Sequence, residues 1–146
     1  MVFTTSPGDV NEIHPFTIFT DASAVALGAI LGQCDPDDSE YVICYASRLL
    51  KGAELNYSVS EKEMLAVIWA IKQFRCYIYG TVFEVVTDHS CLQYLLTIKD
   101  LNGRLARWWK MLTHFIFDNI VLLRSTFNNN VWSTIAFIQF LISQVF

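Results

Sequence analysis

Two stretches of the chain, FTIFTDAS at residues 16–23 and FEVVTDHS at residues 83–90, run β-branched and aromatic side chains into a Thr-Asp pair. One such ending has an ordinary explanation, because Asp suits the turn after a strand, where it bonds its own backbone. Two of them, Thr20-Asp21 and Thr87-Asp88, point to a shared site. Between them lie Glu61 and Glu63, on a stretch with helical periodicity. At about 100° per residue, Glu63 shares a stripe with Ala66, Val67, Ala70, Ile71 and Phe74, the face that packs on a sheet. Glu61 falls instead on the side of Lys72 and Arg75, and it stands three residues after Ser58, the spacing of a capping box. An ionised carboxylate on an apolar stripe is costly unless it is partnered, so Glu63 calls for a compensating cation. A right-handed crossover helix would make the first and fourth strands neighbours and bring Asp21, Glu63 and Asp88 together. Three carboxylates with no basic residue in their motifs form a hard-oxygen site, suited to Mg²⁺ or Mn²⁺ rather than zinc. Two such ions about 3.5 to 4 Å apart support the hydrolysis of a phosphodiester.

The elements that must position these acids are readable in outline. Phe16 to Thr20 predicts a first strand, Ala26 to Gln33 a second and Tyr41 to Ala46 a third, with CDPDDSE at 34–40 as a loop between the last two. A long helix follows over about Val59 to Tyr79, opened by Ser58 and stopped by Gly80. Phe83 to Thr87 is the fourth strand. A short helix around Cys91 to Leu96, a helix from Gly103 to about Phe115 and a last strand at Ile120 to Leu123 complete the order β-β-β-α-β-α-α-β. The fold class is therefore mixed α/β, a mixed sheet flanked by helices.

Bulk properties narrow the partners. The 146 residues fit one domain, and with 53% hydrophobic and 16% charged residues the chain is a folding sequence. A net charge of −4 argues against broad polyanion binding, so any nucleic-acid contact is local. Lys99, Arg104, Arg107 and Lys110 concentrate four of the ten basic residues in twelve positions, interleaved with Trp108 and Trp109, and form a candidate phosphate handle. The alternative is a solvated helix face with the tryptophans in the core. Cys34, Cys44, Cys76 and Cys91 lie ten or more positions apart and read as free thiols of a reducing compartment, with a disulfide as the lesser alternative; the expected location is intracellular, cytoplasmic or nuclear. No signal peptide is visible, and the apolar run 131–146 falls short of the ~20 residues a membrane span needs.

On FTDAS followed by ALGAILGQ, then YASRLL, NYSVSEKEMLAVIWAIKQFRCYIYG, TDHSCLQYLL and the RLARW segment, the chain resembles the ribonuclease H domain of reverse transcriptases from gypsy-type LTR retrotransposons. These motifs cover about residues 15 to 118 in the family's order and spacing. The resemblance implies a five-stranded mixed sheet flanked by helices, a two-metal Mg²⁺ site, and cleavage of the RNA strand of an RNA–DNA hybrid. It carries catalytic and metal-binding roles onto Asp21, Glu63 and Asp88, choosing Glu63 over Glu61 because the family's acid stands two residues before the Leu-Ala pair. It also implies a division into a leader at 1–14 left from the polymerase connection, a ribonuclease H-like domain at 15–124, and a divergent apolar tail at 125–146. Polymerase and integrase domains of a parent polyprotein would then be its partners.

The resemblance breaks in NNNVWSTIAF, residues 128–137, where the family carries an Asn-Val-Val-Ala-Asp motif with a fourth active-site carboxylate. The corresponding position falls on Trp132 or Thr134, depending on which Asn is matched, and no Asp or Glu follows Asp118. A frameshifted, truncated or decayed element has this character. Two readings therefore stand side by side: a Mg²⁺-dependent ribonuclease H impaired by the missing acid, and a non-catalytic remnant that keeps the fold and weak nucleic-acid binding. A Mg²⁺ phosphotransferase using the same acids is disfavoured by the absence of a Gly-rich phosphate loop.

Overall fold

The computed structural model describes residues 15–35, 37, 39–87, 103–118 and 121–125, and for 113, 115–118 and 121–125 the backbone alone. Three strands form an antiparallel meander: β1 (Phe16–Ala22), β2 (Ala26–Cys34) and β3 (Glu40–Leu49). A 3-10 turn (Gly52–Asn56) leads into helix α1 (Val59–Gln73), with a single turn of helix, α2 (Arg75–Ile78), after it. Strand β4 (Phe83–Thr87) returns parallel to β1, and helix α3 (Arg104–Asp118) precedes β5 (Val121–Ser125), which pairs parallel with β4. The five strands lie in the order β3-β2-β1-β4-β5, the mixed sheet that the sequence predicts. Four of them have described side chains.

Central position explains the composition of β1. Its first five residues are all buried, because neighbours cover both of its faces. On one face Phe16 and Ile18 join Leu27, Phe83 and Val85 beneath α1, which presents Met64, Ala66, Val67, Ala70 and Ile71 without exposed surface. Burial of side chains of the size of Val67, Ile71 and Met64 contributes about 1.5 to 3 kcal/mol each, which outweighs any intrinsic preference of the segment. On the other face Phe19, Ile30, Ala26 and Val86 make a smaller cluster.

Most boundaries shift by one to three residues from those expected, and three of the differences have a clear cause in pairing or packing. Strand β1 continues past Thr20, because Asp21 pairs with Gly28 and Ala22 with Leu27. Strand β3 runs to Leu49 because that residue pairs with Ala26, and Leu50 then donates to the carbonyl of Val25 at 2.8 Å. The single helix expected over 59–79 divides at Phe74, whose carbonyl accepts from both Tyr77 (2.9 Å) and Ile78 (3.2 Å). The tightened turn keeps Phe74 and Ile78, both 2% exposed, in the core. Gly80, at φ 72, stops the helical run as expected. The expected short helix at 91–96 lies outside the described residues, as do the segments 1–14 and 126–146.

The left-handed backbone at Gly80 costs a residue with a Cβ about 1 to 2 kcal/mol. Gly80→Ala is expected to lower the unfolding free energy by about that amount in urea titration, although nothing lies within 4 Å of the added carbon. An unchanged midpoint would show that the helix stop rests on packing instead.

Candidate active site

Glu63 is the buried acid among the described residues, 4% exposed on a face of α1 that is otherwise apolar. Its stripe is the one expected: Ala66, Val67, Ala70, Ile71 and Phe74 are all buried beside it. Glu63 Oε1 accepts a hydrogen bond from the backbone N–H of Ala22 at 3.4 Å, which places this carboxylate at the end of β1, one residue beyond Asp21. Lys62 fixes the same approach by donating to the carbonyl of Ala24 at 3.1 Å. The β1–β2 turn that receives these contacts is tied by Ser23, whose Oγ accepts from the N–H groups of Val25 (3.3 Å) and Ala26 (3.0 Å).

Asp21 is half-buried and pairs across the sheet with Gly28, so no side chain stands opposite it on β2. Pleating carries the Asp21 side chain to the face of Phe19, whereas Glu63 arrives from the α1 face. Asp21 thus stands one residue before the Ala22 N–H that Glu63 accepts from, at the end of β1, which runs parallel to β4. The β1–β4 pairing ends with Phe19 opposite Val86, and Thr87, fully buried, is the next residue of β4. Asp88 and Lys99 lie outside the described residues, and among the described residues no group of three His, Cys, Asp or Glu side chains assembles that could hold a metal ion. The two described acids supply carboxylate oxygen alone, the donor chemistry of Mg²⁺ and Mn²⁺.

The start of α1 is secured by a reciprocal cap. Glu61 accepts from the N–H of Ser58 at 2.8 Å, and Ser58 Oγ accepts from the N–H of Glu61 at 3.2 Å. Glu61 also forms an ion pair with Arg104 of α3, Nη2 to Oε1 at 2.7 Å. Burial pushes the Glu61 carboxyl upward, but the Ser58 N–H and the Arg104 guanidinium outweigh it and hold the group below the usual glutamate range. A second pair, Arg48 to Glu54 (2.7 and 3.1 Å), ties the end of β3 to the 3-10 turn.

The candidate phosphate handle divides. Arg104, its side chain 36% exposed, turns toward the start of α1, with its guanidinium carbon 3.8 Å from the centre of the Tyr57 ring. Trp108 (7% exposed) and Leu112 (2%) anchor α3 in the core. Arg107 and Lys110 are exposed, and with Trp108, Met111 and His114 they line a shallow groove of about 520 Å³. His114 continues that stripe at i+7 from Arg107, a helical spacing that the sequence itself carries. Among the described residues Cys34, Cys44 and Cys76 are free thiols, and no helix is long and apolar enough to cross a membrane.

Residues 11–115 match the family described as the RNase H-like domain found in reverse transcriptase. The chain is 42% identical over 102 residues to the retrovirus-related Pol polyprotein from transposon 297 of Drosophila melanogaster, covering 70% of this chain and 9% of that protein. It is 46% identical over 103 residues to the transposon Tf2-3 polyprotein of Schizosaccharomyces pombe, covering 68% of this chain and 8% of that protein. The chain thus spans under a tenth of the length of these relatives. Among solved structures it resembles the foamy viral protease-reverse transcriptase in complex with dsDNA, with a TM-score of 0.61 and 19% identity over 82% of this chain and 25% of that one. The same viral protein in complex with RNA/DNA hybrid gives a TM-score of 0.55 and 20% identity over 80% and 16%. At these identities the structural likeness establishes the fold.

The lowered Glu61 carboxyl makes stability depend on pH with a definite sign. A folded-state value below the unfolded one, about 4.3, contributes stability that is fully present above that pH and lost as pH falls through the folded value. Glu61→Gln is therefore expected to be less stable than the parent at pH 7, with the gap shrinking as pH drops below about 4.3. Urea midpoints at a series of pH values measure it; a gap of constant size down to the acid limit would remove the ionic contribution.

Proposed function

The chain belongs to the family of RNase H-like domains found in reverse transcriptase, and on that premise we propose that it is the ribonuclease H unit of a gypsy-type retrotransposon, built to cleave the RNA strand of an RNA–DNA hybrid. The observation that carries this reading is the buried Glu63 carboxylate, brought by α1 to the end of β1 where Asp21 stands. Asp21, Glu63 and Asp88 are the residues proposed to hold Mg²⁺, with Mn²⁺ as a substitute. The bound cation would supply charge stabilisation for phosphodiester hydrolysis.

The chain's own groups do the rest. The Ser58–Glu61 cap and the Lys62 contact orient the first turns of α1, so that Glu63 reaches the sheet edge in one position. Strands hold Asp21 with less freedom than a loop would. Arg107 and Lys110, exposed on α3, are suited to backbone phosphates, which allows a hybrid to be recognised by shape rather than by base sequence. The foamy viral relative in complex with RNA/DNA hybrid supports this choice of substrate class. The Pol polyprotein relatives support polymerase and integrase domains as partners, with residues 15–124 as the ribonuclease H-like unit.

One observation favours a second reading, a remnant without turnover: no acidic residue follows Asp118 in the 146 residues, where the family's fourth carboxylate would stand. We favour a site that binds a cation through its remaining acids and turns over poorly, because losing one ligand weakens the support for the departing oxygen.

Mg²⁺ at 100 times its Kd would stabilise the folded chain by about 2.7 kcal/mol. The melting temperature is expected to rise with Mg²⁺ for the parent and for Glu40→Gln, an exposed acid at the far end of the sheet, and not for Asp21→Asn or Glu63→Gln. A Mg²⁺ shift that survives both Asp21→Asn and Glu63→Gln would remove these residues from the site. Slow or absent cleavage of a labelled hybrid is expected alongside; rapid Mg²⁺-dependent cleavage by the parent chain would overturn the impairment.

For the phosphate contacts, Arg107→Gln and Lys110→Gln should each reduce the salt slope of hybrid binding by about one, whatever the hybrid's sequence. Binding isotherms across a salt series report the slope, and an unaltered slope in both variants would assign α3 a purely structural role.

A further inference from the structure

We infer that Arg104 is a positioning residue for Glu63, acting through the start of α1 rather than on nucleic acid; the inference rests on the proposed metal-binding role of Glu63. The guanidinium holds both flanks of the Ser58 cap at once. On one side its Nη2 bonds Glu61 Oε1 at 2.7 Å. On the other its plane lies over Tyr57, the residue before the cap, at 3.8 Å. Trp108, one turn further along α3, meets the same Tyr57 ring edge-on at 5.7 Å and lies 5.5 Å from the Arg104 guanidinium. Helix α3 therefore clamps the chain from Tyr57 to Glu61, and Glu63 follows two residues later.

The contact delivered by this arrangement is sensitive to small movements. The bond from the Ala22 N–H to Glu63 Oε1 is 3.4 Å, near the outer limit for a hydrogen bond. Its length is set by how the first turns of α1 seat over the end of β1. A guanidinium has the geometry for this task, because a planar fork can bond a carboxylate in its plane and stack an aromatic ring on its face, which an ammonium cannot do together. The same commitments draw Arg104 away from phosphates, unlike Arg107 and Lys110, which are exposed.

The sign of the effect on cation binding separates positioning from charge. Removing a positive group near a carboxylate site lowers repulsion and favours a divalent cation. Loss of position does the opposite. Residues that orient metal ligands cost about tenfold to a hundredfold in affinity when removed, and Arg104 acts one step further out, so a loss of about threefold to tenfold is expected.

Calorimetric titration of the 146-residue chain with Mg²⁺ alone reads this directly, on the parent, Arg104→Gln, Arg104→Lys and the charge control Lys72→Gln, which removes an exposed cation elsewhere on α1. The expected result is weaker Mg²⁺ binding by Arg104→Gln, partial recovery in Arg104→Lys, and equal or slightly tighter binding by Lys72→Gln. Arg104→Gln binding as tightly as the parent, or more tightly, overturns the inference while leaving the metal site intact. A parent chain that binds no Mg²⁺ overturns the proposed site itself and the inference with it. If Arg104→Gln does not fold, Arg104→Lys decides alone: weaker binding than the parent supports positioning, and parental affinity overturns it.

Discussion

A parallel strand cannot follow its neighbour through a tight turn, and the pairing of β4 beside β1 therefore dictates most of the molecule. Between the antiparallel meander and β4 the chain must cross the sheet, and α1 is the crossing. Its apolar side then has one place to go, over Ile18, Leu27 and Val85. The same crossing starts α1 above the end of β1 and so brings Glu63 to the sheet edge at which the parallel strands finish. Edges of this kind favour ligand sites, because chain ends from separate strands gather there without closing the space between them.

Charge is used sparingly around this frame and mostly at joints. Arg48 with Glu54 fastens the end of β3 to the 3-10 turn, and Arg104 with Glu61 fastens α3 to the start of α1. Each pair links elements that the hydrophobic core alone leaves free to slide, and each is partly shielded by an aromatic ring, Trp69 over Arg48 and Tyr57 over Arg104. Such partly buried pairs contribute more to fixing an orientation than to net stability. The exposed cations of α3 then stand apart from the joints, on a chain whose net charge is −4.

The strands and the cap were legible because their signals are local. Alternating β-branched runs, the Ser58–Glu61 spacing and the stop at Gly80 each depend on residues within a turn or two. The inward stripe of Glu63 was legible for the same reason. What the sequence hid was tertiary. The division of the helix at Phe74 serves the burial of Ile78, and the extension of β1 through Asp21 is set by its partner β2. Spacing groups Arg104 with Arg107 and Lys110, although positions six apart differ by about 120° around a helix. They occupy the two margins of a broad face, and that Arg104 turns toward α1 is decided by Glu61, 43 positions away.

Glu63 also connects stability to function. A carboxylate buried on an apolar stripe is a cost that any apolar side chain of similar size would remove. What Glu63 returns to the fold includes the hydrogen bond that its Oε1 accepts from the Ala22 N–H, a contact Ala66 and Val67 cannot make. On the function proposed above, a cation held at the end of β1 would offset that cost. The site and the core would then pull in opposite directions, with the Ser58–Glu61 cap and the Arg104 pair holding the turn of α1 that leads to Glu63.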